Sequence, residues 1–231
     1  MLLKFIVGNY LTFDTIEEFT MLCGKAKNFT SDLVQKQSYS ILKLSCIFQR
    51  NSILLQAFNF FKTFILEDKG KGKAYFITQP SIFEVKFTWK GNSYCYGITI
   101  KLKDNKVLKT WLKNINRPEE NVNSTVIKEW LNTVKINPKV IKPYDIVVLT
   151  NTDNYLSPKQ IKTLINYYRN QKTQLILESM YSPLLTLELF RKDEIWLETK
   201  DKIFSLDVVK EHFYKRIPLE YRGGIYYLMP F

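Results

Sequence analysis

The chain has 231 residues, 45% of them hydrophobic, so it can bury a core of domain size and is not a disordered tail. Lys and Arg total 34 against 22 Asp and Glu, a formal charge of +12. That excess exceeds the ~2–8 typical of small domains and points to a polyanion-binding face rather than only a solvated, Lys-rich surface.

Residues 2–13 alternate weakly and read as a strand running into a turn. Residues 14–40 read as loop with a short strand or helix. The apolar stretch Ile41 to Phe48 reads as a buried strand. Leu54, Ala57, Phe58, Phe61, Phe64 and Ile65 then follow helical spacing. Gly70 and Gly72 make Lys69, Lys71 and Lys73 a flexible basic loop. It can follow a phosphate backbone or simply be solvated. Residues 82–102 alternate up to Gly91-Asn92 and back, as in a β-hairpin.

Residues 103–142 are rich in Lys and Asn. Trp111, Leu112 and Ile115, then Val126, Ile127, Trp130, Leu131 and Val134, predict two short helices separated by Arg117-Pro118-Glu119-Glu120. These residues read as a helical insertion, leaving 1–102 and 143–231 as one α/β head. Ile146 to Leu149 is an apolar strand, and Thr150 to Asn154 a polar turn. Ser157, Pro158 and Gln160 form the capping box of a helix whose apolar face is Ile161, Leu164, Ile165 and Tyr168. Gln174 to Leu177 returns as a buried strand. Beyond Met180 the pattern predicts a helix at Leu184–Phe190, strands at Glu194–Leu197 and Lys202–Ser205, and a helix at Val208–Lys215. The apolar segment Gly223 to Leu228 is expected to pack on the domain.

Cys23, Cys46 and Cys95 are an odd, scattered set without a CxxC. They argue for a reducing compartment and against a disulfide framework or zinc site. A single histidine, His212, weighs against a serine–histidine triad or a histidine metal centre. No segment has the length of a transmembrane helix and no signal-peptide layout is visible, so the expected location is the cytoplasm, away from membranes.

Several pieces resemble ATP-binding proteins of the ABC/SMC-like class related to RecF and overcoming-lysogenization-defect ATPases. The opening Met-Leu-Leu-Lys-Phe-Ile-Val-Gly-Asn-Tyr-Leu-Thr-Phe, the hairpin Ile82 to Ile100, Leu189 to Trp196, Phe204-Ser-Leu206 and Tyr221-Arg-Gly-Gly carry the likeness. The catalytic positions depart from that class. A phosphate-binding loop needs G-x-x-x-x-G-K-[ST]. The equivalent place reads Gln49-Arg50-Asn51-Ser52. The Asp-Glu pair after the second core strand is matched by Thr150-Asn151, which offers neither a magnesium-binding carboxylate nor a general base. Asp153 is one carboxylate, Met180 falls near the switch histidine, and no Ser-Gly-Gly-like signature occurs in 103–142. ATP is not expected as a cofactor, and the chain is not expected to be an enzyme.

Val147 to Ile165, followed by Gln174-Leu-Ile-Leu-Glu178, is similar to the type II-A CRISPR adaptation proteins of the Csn family, inactive relatives of such ATPases. The resemblance implies a degenerate P-loop ATPase-like α/β head with a mixed sheet and a helical leg. It implies a homotetrameric ring that threads linear double-stranded DNA, supported by calcium. It also implies action beside the spacer integrase and effector nuclease in antiviral defence. On this view Lys101, Lys103, Lys106, Lys109 and Lys113, with Lys135, Lys139 and Lys142, flank the head–leg junction. They are expected to contact phosphates without reading sequence. Glu119, Glu120 and Glu129 can supply oxygen ligands to calcium, or serve as an acidic pair and neighbour near a helix start. The competing readings are an ATPase-like subunit that needs a partner's phosphate loop, and a protein-binding component of a phage-defence system.

Overall fold

A computed structural model describes residues 1–24, 33–36, 38–67, 79–181, 184 and 188–208. The chain opens with the hairpin β1 (Leu2–Tyr10) and β2 (Phe13–Thr20). A short pair follows, β3 (Val34–Gln35) with β4 (Ser40–Ile41), then the wholly buried β5 (Leu44–Phe48). Helix α1 (Ile53–Glu67) leads to β6 (Ser81–Trp89), β7 (Asn92–Lys101) and β8 (Lys106–Asn114). After these come α2 (Thr125–Asn132), β9 (Val134–Ile136), β10 (Ile146–Leu149), α3 (Pro158–Arg169) and β11 (Gln174–Ser179). The described part closes with β12 (Ile195–Glu198) and β13 (Ile203–Ser205).

The protein is mixed α/β, with two main sheets. One is antiparallel, in the order β2-β1-β6-β7-β8; the other runs β13-β12-β5-β11-β10-β9. In the second sheet all pairings are parallel except β12 with β13. A parallel sheet has to be covered on both faces. Here Ile47, Ile146, Val148 and Ile176 face a core shared with α1, α2 and the antiparallel sheet. Cys46, Phe48, Val147, Leu175 and Leu177 face Ile161, Ile165 and Tyr168 of α3. Helix α1 fills the space between the sheets, with Phe58 edge-on to Phe5 at 5.0 Å and Phe61 stacked on Phe83 at 6.2 Å.

The predicted strand–turn–helix–strand unit is present at β10, α3 and β11. Ser157 caps α3, its Oγ accepting from the Gln160 amide while Gln160 Oε1 accepts from the Ser157 amide. The 82–102 hairpin is present too, but its two-residue turn is Lys90-Gly91, one position earlier than expected, because Trp89 pairs with Asn92. Both turn residues have positive φ, 48° and 85°, the geometry of a tight hairpin turn.

Residues 103–142 differ from the expected pair of helices. Only the second, α2, is helical. The first is β8, hydrogen-bonded along β7 as the edge of the antiparallel sheet. Trp111 decides this locally. Its ring lies over Gly97, where an added Cβ would sit 2.1 Å from it. Helix α2 buries Trp130 against Phe87, ring centroids 4.4 Å apart, and β9 joins the other sheet. Residues 103–142 therefore give one strand to each sheet and one helix to the core between them. Residues 14–40, expected as loop with a short strand or helix, hold all but the first residue of β2, then β3 and the first residue of β4. All but the first residue of the predicted closing helix Val208–Lys215, the Gly223–Leu228 segment and the Lys69–Lys73 loop lie outside the described residues, as do 185–187 of the helix expected at Leu184–Phe190. Of its described residues Leu184 is in a 3-10 turn, Glu188 and Leu189 form a turn, and none is α-helical. Among those described, no helix is long and apolar enough to cross a membrane.

One buried side chain ties the sheets together. Gln174 Oε1 accepts from the Leu2 amide at 2.8 Å, and its Nε2 donates to the carbonyls of Leu2 and Leu42 at 3.0 and 2.9 Å. Replacing Gln174 with Leu leaves those buried backbone groups without a partner. The expected loss is ~2–4 kcal/mol, since each such group costs ~1–3 kcal/mol. Urea unfolding of the Gln174→Leu variant measures it. An unchanged midpoint would show that the bridge contributes nothing net.

Candidate functional site

The carboxyl ends of β5, β11, β10 and β12 meet the start of α1. This is where ligands bind in open α/β sheets. The structure brings three sequence-predicted positions together here: the Gln49–Ser52 loop, the Thr150–Asp153 turn and Met180 at the end of β11. Two residues that the sequence did not single out dominate the place. They are Glu178, on β11, and Glu198, the last residue of β12.

A helix start leaves its first backbone N–H groups without partners inside the helix. At α1 these groups are satisfied from within the protein. The Ser52 amide donates to Glu178 Oε1 at 3.1 Å. The Ile53 and Leu54 amides donate to Glu198, at 2.5 and 3.3 Å. Ser52 Oγ donates to Glu198 Oε2 at 2.5 Å and accepts from the Leu55 amide at 3.2 Å. The positive end of the α1 dipole thus faces carboxylates of the chain itself. A helix start favours such a group, as it would favour a phosphate.

The turn after β10 is bound into the same network. The Asn151 amide donates to Glu178 Oε2 at 3.2 Å, and Thr152 Oγ1 donates to the Glu178 carbonyl at 2.5 Å. Asp153 accepts from Ser179 Oγ at 2.6 Å and from the Met180 amide at 2.5 Å. Both Asp153 oxygens are therefore engaged in holding the turn against β11. Thr150 is paired twice with the side chain of Asn137. Arg50 and Gln49 lie in the loop before α1, where the Arg50 amide donates to Gln49 Oε1.

Burial pushes the Glu198 carboxyl up from 4.5 to about 7, against the hydrogen bonds from Ser52, Ile53 and Leu54, which favour its ionised form. Burial also raises Glu178, opposed by the Ser52, Asn151 and Asn51 amides and reinforced by Asp153. The site thus holds two acidic groups with raised pKa, which repel additional negative charge to the extent that they are ionised. It has no Gly-Lys pair to draw a polyphosphate in.

The predicted basic residues fall on two regions. Lys101, Lys103, Lys106, Lys109 and Lys113 lie on β7, β8 and the turn between them. Lys101 pairs with Asp104 at 3.0 Å, and Lys109 sits 5.8 Å from the Trp111 ring centroid. Lys103, Lys106, Lys109 and Lys113 are exposed and form no ion pair among the described residues. Lys135 is on β9, its Nζ donating to the Asn132 carbonyl, and Lys139 and Lys142 are exposed in the segment before β10. Glu119, Glu120 and Glu129 are not gathered into one group. Glu129 accepts from Lys90 and Trp89, and Glu120 from Asn114. Among the described residues no three His, Cys, Asp or Glu side chains come together as a group that could hold a metal ion.

No protein-family model matches this chain, and no curated protein matches it.

The raised Glu198 gives stability a defined pH dependence. The unfolded chain releases this proton near 4.5 and the folded chain near 7. The contribution is therefore complete below about pH 4.5 and is lost as the pH rises to about 7. Glu178 acts with the same sign. Urea midpoints measured across this range should fall with pH in the native chain, and less steeply in Glu198→Gln. Equal slopes in the two proteins would place the titration elsewhere.

Proposed function

We propose that the protein is a non-catalytic, sequence-independent double-stranded DNA-binding scaffold, built on a degenerate P-loop ATPase-like head. In this reading it acts in CRISPR spacer acquisition as a ring of four copies that threads linear DNA ends, beside the spacer integrase and effector nuclease. Calcium would support the assembled form. One observation carries the non-catalytic part. The start of α1, where such a head would seat a phosphate, is met by Glu178 and Glu198, and no lysine or arginine lines the cleft beside it. An incoming phosphate would have to displace four hydrogen bonds to these carboxylates while meeting their repulsion.

The basic excess supports the DNA part. Lys106, Lys109 and Lys113 lie along β8, the edge strand of the antiparallel sheet, with Lys103 in the turn before it, all free of acidic partners among the described residues. Phosphate contacts of this kind bind duplex without reading it. A second reading, contact with a partner protein in a phage-defence system, has one observation of its own: Val107 and Leu108 on the β8 edge are 43% and 49% exposed.

A gel-shift series tests the proposal with linear duplex, closed-circular duplex and single strands, over a range of salt and with or without calcium. Linear duplex is expected to bind and closed-circular duplex to fail. The slope of log affinity against log salt should be about −0.9 per phosphate neutralised. Replacing Lys109 and Lys113 with Ala should reduce that slope by about two. Magnesium–ATP should neither be hydrolysed nor raise the melting temperature. If no duplex binds at low salt, the DNA reading is lost and the partner reading stands.

A further inference from the structure

Beside the filled start of α1 lies a cleft of about 560 Å³ between α1, β9 and the turn after β10. Its lining is dominated by carboxamides. Asn51, Asn59, Asn137 and Asn151 all face it. Asn137 is bonded to Thr150, but the side-chain amides of Asn51, Asn59 and Asn151 have no partner among the described residues. Three uncommitted carboxamides on one small cleft are a concentration of planar donor–acceptor groups with nothing to bond but solvent or a ligand.

The backbone points the same way. Asn51, Asn137 and Asn151 each adopt left-handed φ, at 57°, 43° and 51°. Asn adopts this conformation more readily than other residues with a side chain, so each of these turns can carry a side-chain amide without strain. Here they come from three separate segments and converge on one space.

Electrostatics narrow the ligand. No lysine or arginine lines the cleft, and Glu178 is one of its walls. A phosphate or carboxylate is disfavoured there. Leu55 and Ile136 supply apolar surface beside the amides. Carboxamides pair in the plane with donor–acceptor edges, as Asn and Gln do with adenine. The volume lies within the ~300–1,000 Å³ of small-molecule sites.

We infer that this cleft binds a nucleobase, through Asn51, Asn59 and Asn151, and does not bind the phosphates of a nucleotide. The base can come from a free nucleoside or from an unpaired nucleotide at a DNA end. The inference stands apart from duplex binding, because nucleoside binding is measured without DNA.

The test is ligand-observed NMR and calorimetry on the full chain with adenosine, guanosine, cytidine and thymidine, and with ATP in the absence of magnesium. The variants are Asn59→Ala, Asn51→Gly and Asn151→Gly, singly and together. Gly accepts the left-handed backbone, so these substitutions remove the amide without straining the turn, and circular dichroism checks the fold. At least one nucleoside should bind, no more weakly than ATP. The triple variant should lose ~10-fold or more, the equivalent of ~1.4 kcal/mol. A duplex with one unpaired terminal nucleotide that competes with the nucleoside, where a blunt duplex does not, would identify a DNA end as a source. Competition by neither would leave the free nucleoside. The inference is overturned if no nucleoside binds, if the triple variant binds as the native chain does, or if ATP binds more tightly than adenosine.

Discussion

The backbone amides of Ser52, Ile53 and Leu54 point at the carboxyl edge of the six-stranded sheet, and Glu178 and Glu198 meet them there. Both glutamates are almost wholly buried, 1% and 6% exposed. Donors in such a place must find acceptors, because a lost hydrogen bond there is not replaced by water. The glutamates satisfy them at the cost of their own desolvation, which the raised carboxyls record. The arrangement fixes the direction of α1. It joins the ends of β11 and β12 to the start of α1.

The neighbouring turn depends on the same two residues. Glu178 uses one oxygen on Ser52 and the other on Asn151, so the loop before α1 and the turn after β10 are held by one carboxylate. Thr152 and Asp153 then bind that turn to the end of β11. The backbone bonds of this rim are made to Glu178 and β11, which leaves the Asn51 and Asn151 side chains to face the cleft.

Away from this rim the two sheets are joined by packing and by a few buried polar bridges. Gln174 links β1 to the start of β11 and the Leu42 carbonyl, and Glu17 accepts from the Ile203 amide at 3.0 Å, linking β2 to β13. Helix α1 lies between, with its phenylalanines against both β1 and β6. The antiparallel sheet ends at the β8 edge, which carries Lys106, Lys109 and Lys113. Lysines on an exposed edge also discourage unplanned strand pairing.

Units whose signals are local were legible in the order of the amino acids. The buried run at β10, the Ser157–Gln160 capping box and the apolar face of α3 are short-range patterns, and each formed as they predict. The 82–102 hairpin was legible for the same reason, since alternation over two strands needs only neighbours. Tertiary structure decided β8. An exposed edge strand has little burial contrast between its faces, so Trp111 and Leu112 mimic a helical stripe until Gly97 across the ladder offers Trp111 a seat. It also decided the candidate site. The bonds from Glu178 and Glu198 to the start of α1 cross 126 to 146 residues, and no local pattern carries a partner at that distance. The sequence showed that a phosphate loop was missing. Only the fold showed that two carboxylates meet the start of α1, because chain topology alone brings the ends of β11 and β12 to that helix.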